Sequence, residues 1–94
     1  MKEIAELTKY LPQGWETAAR ETGALLRGRK IKTAEDLLEL NLLHLTEGGS
    51  FGVTAAILNF ATELEISKES VYERIQKSWR WLKWMTETMC RENN

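Results

Sequence analysis

The sequence has one cysteine, one proline and one histidine in 94 residues, and each scarcity excludes something. Cys90 has no second thiol to pair with, so a disulfide framework is ruled out and a reducing compartment is the expected home. Pro12 is the single proline-imposed break, which leaves the rest of the chain free to form long helices. No stretch approaches the roughly 18 consecutive apolar residues of a membrane span. The opening MKEIAELTKYL is too charged for the apolar heart of a signal peptide. A soluble cytoplasmic protein without membrane contact is therefore expected.

Groupings that carry chemistry are equally sparse. His44 lies in LLHL with no other histidine anywhere, so a hydrogen-bonded structural imidazole is expected, not a ligand or base. Nothing around Cys90 has metal-ligand spacing. Ser50, Ser67, Ser70 and Ser78 lack a nucleophile-elbow pattern, and the first three suit helix caps. EGGSFG at 47–52 has glycines before a helix but neither the dinucleotide-binding spacing nor the lysine of a phosphate loop, so it reads as an interhelical turn. Glu35, Asp36 and Glu39 suit one solvated helix face. No enzyme is expected: no catalytic residue, no metal, no cofactor and no small-molecule substrate.

What is present is ordinary globular composition, 43% hydrophobic and 29% charged, in a length that suits one domain over 1–94. The net charge of −1 hides segregation along the chain. Residues 20–32 carry Arg20, Arg27, Arg29, Lys30 and Lys32 against Glu21, a balance of +4. Residues 33–65 carry six acids and no cation, which is −6. Residues 68–83 return to +3, with five cations against Glu69 and Glu73. A nearly neutral chain can in this way present a basic face.

Punctuation and periodicity predict an all-α fold, a compact bundle of four to five helices with a helix-turn-helix-like unit. A short helix with Ile4, Leu7 and Leu11 stops before Pro12. A second runs from about Trp15 to Thr22, with Ala18 and Ala19 inward and Gly23 as terminator. RGRKIK, 27–32, is a charged connector, by default solvated, with enough cations to meet phosphates. Thr33 and Asp36 resemble a capping box opening a leucine-rich helix that ends at Gly48 and Gly49. Ser50 caps a helix through Val53, Ala56, Ile57 and Phe60, and Ser67 or Ser70 caps the last and longest one.

That last helix contains WRWLKWM, 79–85, with three of the four tryptophans. At about 100° per residue, Val71, Ile75, Ser78, Leu82, Met85 and Met89 form the inward seam, with Trp81 on one shoulder and Tyr72 and Trp79 beyond the other, where they should pack. Trp84 projects roughly 140° from the seam centre, among Lys77, Arg80 and Arg91, with Glu73 and Glu87 on the same arc. Two uses fit it: an interface with another helix or a second copy, or a nucleic-acid contact in which the indole stacks while cations meet phosphates.

The order of a helix, a glycine turn, a helix bearing TAA and a capped helix reading SKESVYERIQK is the skeleton of a helix-turn-helix unit. Ala56 to Ser67 is 11 residues, longer than the about six of the compact form. The unit therefore needs a longer second helix or an extra turn. The base-reading candidates are Lys68, Glu69, Tyr72, Glu73 and Gln76, with Lys77 and Arg80 for phosphates. Two glutamates there would repel the backbone unless aimed at cytosine amino groups.

LPQGWE, TGALLRGRKIKTAEDLL, the LLHLTEGGSF junction and the pairing of ERI with WLKWM resemble the amino-terminal region of DDE-type transposases of bacterial insertion sequences, the insertion sequence four group. The similarity covers about residues 11–87. It implies a helical region ahead of a ribonuclease H-like catalytic domain and associated with recognition of transposon ends. That catalytic domain uses three acidic residues to bind divalent metal, and none can be carried over to a chain that stops at Asn94. The expectation is a non-catalytic module for double-stranded DNA. Its contacts would be Lys68, Tyr72, Gln76, Lys77, Arg80 and Trp84, with Arg27, Arg29, Lys30 and Lys32 as auxiliary phosphate contacts. The alternative is a helical interaction domain, or a homodimer, with Trp84 at the interface.

Overall fold

Hydroxyl side chains start three of the helices among the described residues. A computed structural model describes residues 6–27, 30–62 and 65–92. In it, Thr33 Oγ1 accepts from the backbone N–H of Asp36 at 3.0 Å, Ser50 Oγ from that of Val53 at 3.3 Å, and Ser67 Oγ from that of Ser70 at 3.1 Å. Each satisfies one of the donors that a helix start leaves without a partner. Behind these caps run α2 (Ala34–Thr46), α3 (Phe51–Thr62) and α4 (Lys68–Glu92). Helix α1 (Trp15–Glu21) starts differently, from Gly14 in the left-handed region at φ 85°. It stops at Gly23, φ 82°, whose N–H bonds Arg20 O while Leu25 N–H bonds Ala19 O. Residues 6–8 are also helical and give way to a turn before the buried Pro12. Ile4 lies outside the described residues. The fold is all-α, with no strand among the described residues.

The 25 residues of α4 span about 37 Å at 1.5 Å per residue, against a longest molecular dimension of 39 Å. This helix runs the length of the molecule, and α1, α2 and α3 all pack on it, while α1 and α3 do not touch. Its inward line is Val71, Arg74, Ser78, Trp81 and Met85, at the 3-4-3-4 spacing of one helix face. Trp81 is fully buried, stacks on Trp15 with ring centroids 6.1 Å apart, and donates Nε1–H to Trp15 O at 2.8 Å. Asn41 of α2 donates to Ser78 Oγ at 3.1 Å and to Leu37 O, and Ser78 Oγ donates to Arg74 O. A polar seam thus fixes the register of α2 against α4 with every buried side-chain donor and acceptor partnered among the described residues.

Several expectations change here. Arg74 belongs to the core, being 2% exposed, with Nη1 donating to Ala24 O at 3.0 Å and Nη2 to Glu73 at 2.9 Å. A seam through Val71, Arg74, Ser78, Trp81 and Met85 is turned by about 40° relative to the expected one through Val71, Ile75, Ser78, Leu82, Met85 and Met89. Trp81 then lies within the buried face, about 40° from its centre. Trp79 turns outward, 57% exposed, and Trp84 becomes half-buried against the core. Helix α3 has a defined inward face as well. Thr54, Ala55 and Leu58 point inward, while Val53, Ala56 and Phe60 are exposed, Phe60 to 93%. Ile31, inside the basic connector, is buried at 2%, and Leu45 at the end of α2 is 74% exposed.

The bond from Arg74 to Ala24 O connects the second turn of the long helix to the turn after α1. Arg74→Ala should lower stability by about 2–3 kcal/mol, since each bond made by a buried charged donor contributes on that order. Arg74→Lys should restore less than half, because one ammonium does not reproduce a guanidinium fork. Urea unfolding reads this as a shifted midpoint at constant slope.

Candidate nucleic-acid interface

The outer face of α4 presents Tyr72, Gln76, Trp79 and Lys83 in one stripe, at spacings of four, three and four, all exposed. Arg80 borders the stripe. Its guanidinium carbon lies 5.8 Å from the centre of the Trp79 ring and the Lys83 ammonium lies 5.9 Å from it, so one exposed indole carries two cations. Cations drawn to a flat apolar ring stay close to it without being neutralised, leaving both an aromatic face and positive charge at one place.

Tyr72, 49% exposed, is held at the other end of the stripe. Its ring meets Phe51 edge-on at 5.1 Å, and Phe51 stacks on His44 at 4.6 Å. His44 Nδ1 lies 2.9 Å from Thr54 Oγ1. The donor in this pair is set by the imidazole tautomer, and Thr54 Oγ1 also lies 2.9 Å from Ser50 O. The imidazole is thus a structural bracket joining the end of α2 to the start of α3. Among the described residues no three His, Cys, Asp or Glu side chains are placed to hold a metal ion, and no helix is long and apolar enough to cross a membrane.

Lys68, Tyr72, Gln76, Lys77 and Arg80 are all exposed on α4, but they do not share one line. Lys77 stands about 140° around the helix from Tyr72, with Arg80 between them. Trp84 is separated from this group. Its Cη2 lies 4.0 Å from where a side-chain carbon on Gly14 would sit, which shows that the indole covers the start of α1. The residues missed from the sequence are Trp79 and Lys83. Their exposure was legible only once Arg74 was accepted as an inward residue at a 3-4 spacing. The charge of α4 is also distributed differently from the sequence count. Within residues 68–83 Arg74 is buried with Glu73 as partner, so the exposed cations there are Lys68, Lys77, Arg80 and Lys83 with Glu69 opposing them, while Arg91, Glu87 and Glu92 are exposed further along the helix.

No family model matches this chain, and neither a curated protein nor a solved structure does. The site must speak through its own geometry.

In the 27–32 connector, Arg27, Lys30 and Lys32 are exposed, and Arg29 lies outside the described residues. Arg20, Leu26, Arg27 and Lys32 line a half-open concavity of about 340 Å³. The bond from Arg74 to Ala24 O sets the beginning of this basic connector beside α4. The connector between α3 and α4 is fixed by Asn59, whose side chain accepts from Ile66 N–H at 2.7 Å and donates to Ile66 O at 3.0 Å. The 11-residue separation noted above is thus filled mainly by extra length in α3 and by this clasp.

The division of the tryptophans can be tested through stability. Trp84→Ala removes partly buried packing and should cost about 2 kcal/mol or more, whereas Trp79→Ala should stay within about 0.5 kcal/mol. Equal losses in chemical denaturation would contradict this placement.

Proposed function

We propose that this chain is a non-catalytic double-stranded DNA-binding module, of the kind that recognises transposon ends. The observation that carries the reading is the exposed Trp79 with Arg80 and Lys83 over its ring, in line with Gln76 and Tyr72. A buried aromatic cluster would need no cations around it, and a merely solvated helix would not expose an indole and a phenol in one stripe. The resemblance to the amino-terminal region of insertion sequence four transposases supports the same reading and suggests the parent element's terminal repeats as the ligand. In a bacterial cell, as that resemblance suggests, a DNA partner goes with a cytoplasmic setting.

In this reading α4 acts as the recognition helix of a helix-turn-helix-like unit with α2 and α3. Lys68, Tyr72 and Gln76 in its first turns face base edges, while Lys77, Arg80 and Lys83 meet phosphates. Glu73, expected to repel the backbone, instead has its carboxylate against Arg74. That pairing removes one of the two objections, and Glu69 keeps the role of a cytosine reader. Arg27, Arg29, Lys30 and Lys32 are auxiliary backbone contacts. Trp84 holds α4 to α1 and acts through that positioning.

One observation favours a protein-interaction domain instead. Helix α3 contains no charged residue, and its outer face exposes Val53 and Phe60. A homodimer or a partner protein would use those two residues more readily than the half-buried Trp84.

Gel retardation with duplex carrying the terminal repeats tests the reading directly. Affinity should fall steeply with salt, and Lys77→Glu or Arg80→Glu should reduce the slope of log K against log salt by about 1 or more. Trp79→Ala should cost about 1–3 kcal/mol of binding if its ring stacks or wedges at the DNA. Absence of retardation at low salt, together with a dimer in sedimentation that Phe60→Glu abolishes, would establish the interaction reading in its place.

A further inference from the structure

We propose that the concavity between the end of α1 and the start of α2 is a phosphate-binding pocket. Arg20 reaches it from the last turn of α1, Arg27 from the connector, and Lys32 from the residue before the Thr33 cap, with Leu26 as an apolar wall. These three cations come together across 12 positions of sequence because the chain between them is anchored from inside. Ala24 and Leu25 are buried at 0% and 4%, and Ile31 at 2%. Arg74 holds Ala24 O, and Leu25 N–H returns to Ala19 O.

None of the three cations is in an ion pair with a described residue. The ion pairs found there are Lys9 with Glu6 and Arg74 with Glu73. Arg20 gains something from the carbonyl end of α1, but Arg27 and Lys32 have no such compensation. Like charges gathered around one hollow raise its potential, and a bound anion relieves that repulsion. Two guanidinium forks and an ammonium match the several oxygens and the charge of a phosphate. Leu26 suits the carbon skeleton of an ester. The ligand class is a phosphate ester, either a nucleic-acid backbone or a free phosphate compound. The pocket does not depend on the α4 reading.

The test follows backbone amide and arginine side-chain signals by ¹H–¹⁵N NMR while inorganic pyrophosphate is added at constant ionic strength. Saturable shifts at Arg20, Arg27 and Lys32 are expected, weakened about tenfold or more in Arg27→Glu/Lys32→Glu. These side chains are exposed, so the variant's remaining spectrum should stay unchanged. Shifts that never saturate, or that persist unchanged in the variant, would overturn the pocket. A second titration with a short duplex separates the sources. Movement of the same signals at lower concentration assigns the pocket to nucleic-acid backbone, whereas stationary signals after a positive pyrophosphate result assign it to a small phosphate ester. The Trp79 indole signal reports in the same spectra on α4, so failure there would be seen separately from failure at the pocket.

Discussion

The burial of Trp81 is the constraint on which the other placements depend. Its indole sits between α4 and α1, with the N–H committed to Trp15 O. A large flat ring with a single donor has few orientations that fill the interior and satisfy that donor together. Fixing it fixes the rotation of α4 about its own axis. Arg74, two turns earlier on the same face, is then carried inward, and only a guanidinium long enough to reach the turn after α1 makes that position tolerable. Ser78, between them, meets Asn41 and sets α2. One ring, one fork and one hydroxyl therefore hold α1, the turn after it and α2 on the long helix.

The same rotation decides what faces outward. Because the residues of α4 are rigidly related, turning Arg74 and Trp81 in turns Trp79 and Lys83 out and draws Trp84 against Gly14. The proposed recognition surface is thus a consequence of the core, not an independent feature. The basic connector depends on the same side chains, since Arg74 holds the turn from which it leaves.

Much of the fold was legible in the sequence. Thr33, Ser50 and the pair Ser67 or Ser70, of which Ser67 is the cap, announced helix starts and Gly23, Gly48 and Gly49 helix ends, because capping is a local exchange between a side chain and adjacent backbone. What was not legible was which side of α3 and α4 faces inward. Helix α3 is apolar on both sides, so periodicity gives no preference, and burial of Thr54 follows from its bonds to Ser50 and His44. For α4, treating Arg74 as a surface cation displaced the seam, and the tryptophans followed it. Ile31 was hidden by its charged neighbours. The candidate site was accordingly half legible: Lys68, Gln76, Lys77 and Arg80 are exposed as a contact surface requires, but Tyr72 and Trp79, whose rings were expected to pack, are exposed, and Trp84, expected to project outward, is half-buried.

Hydrogen exchange of the four indole N–H groups, measured by NMR with and without duplex DNA, tests the central claim most directly. The account predicts that Trp81 exchanges only through global opening. Trp79 should exchange fast in the free protein and be the indole whose signal moves when duplex is added. Fast exchange at Trp81, or a duplex that shifts Trp84 and leaves Trp79 unmoved, would contradict it.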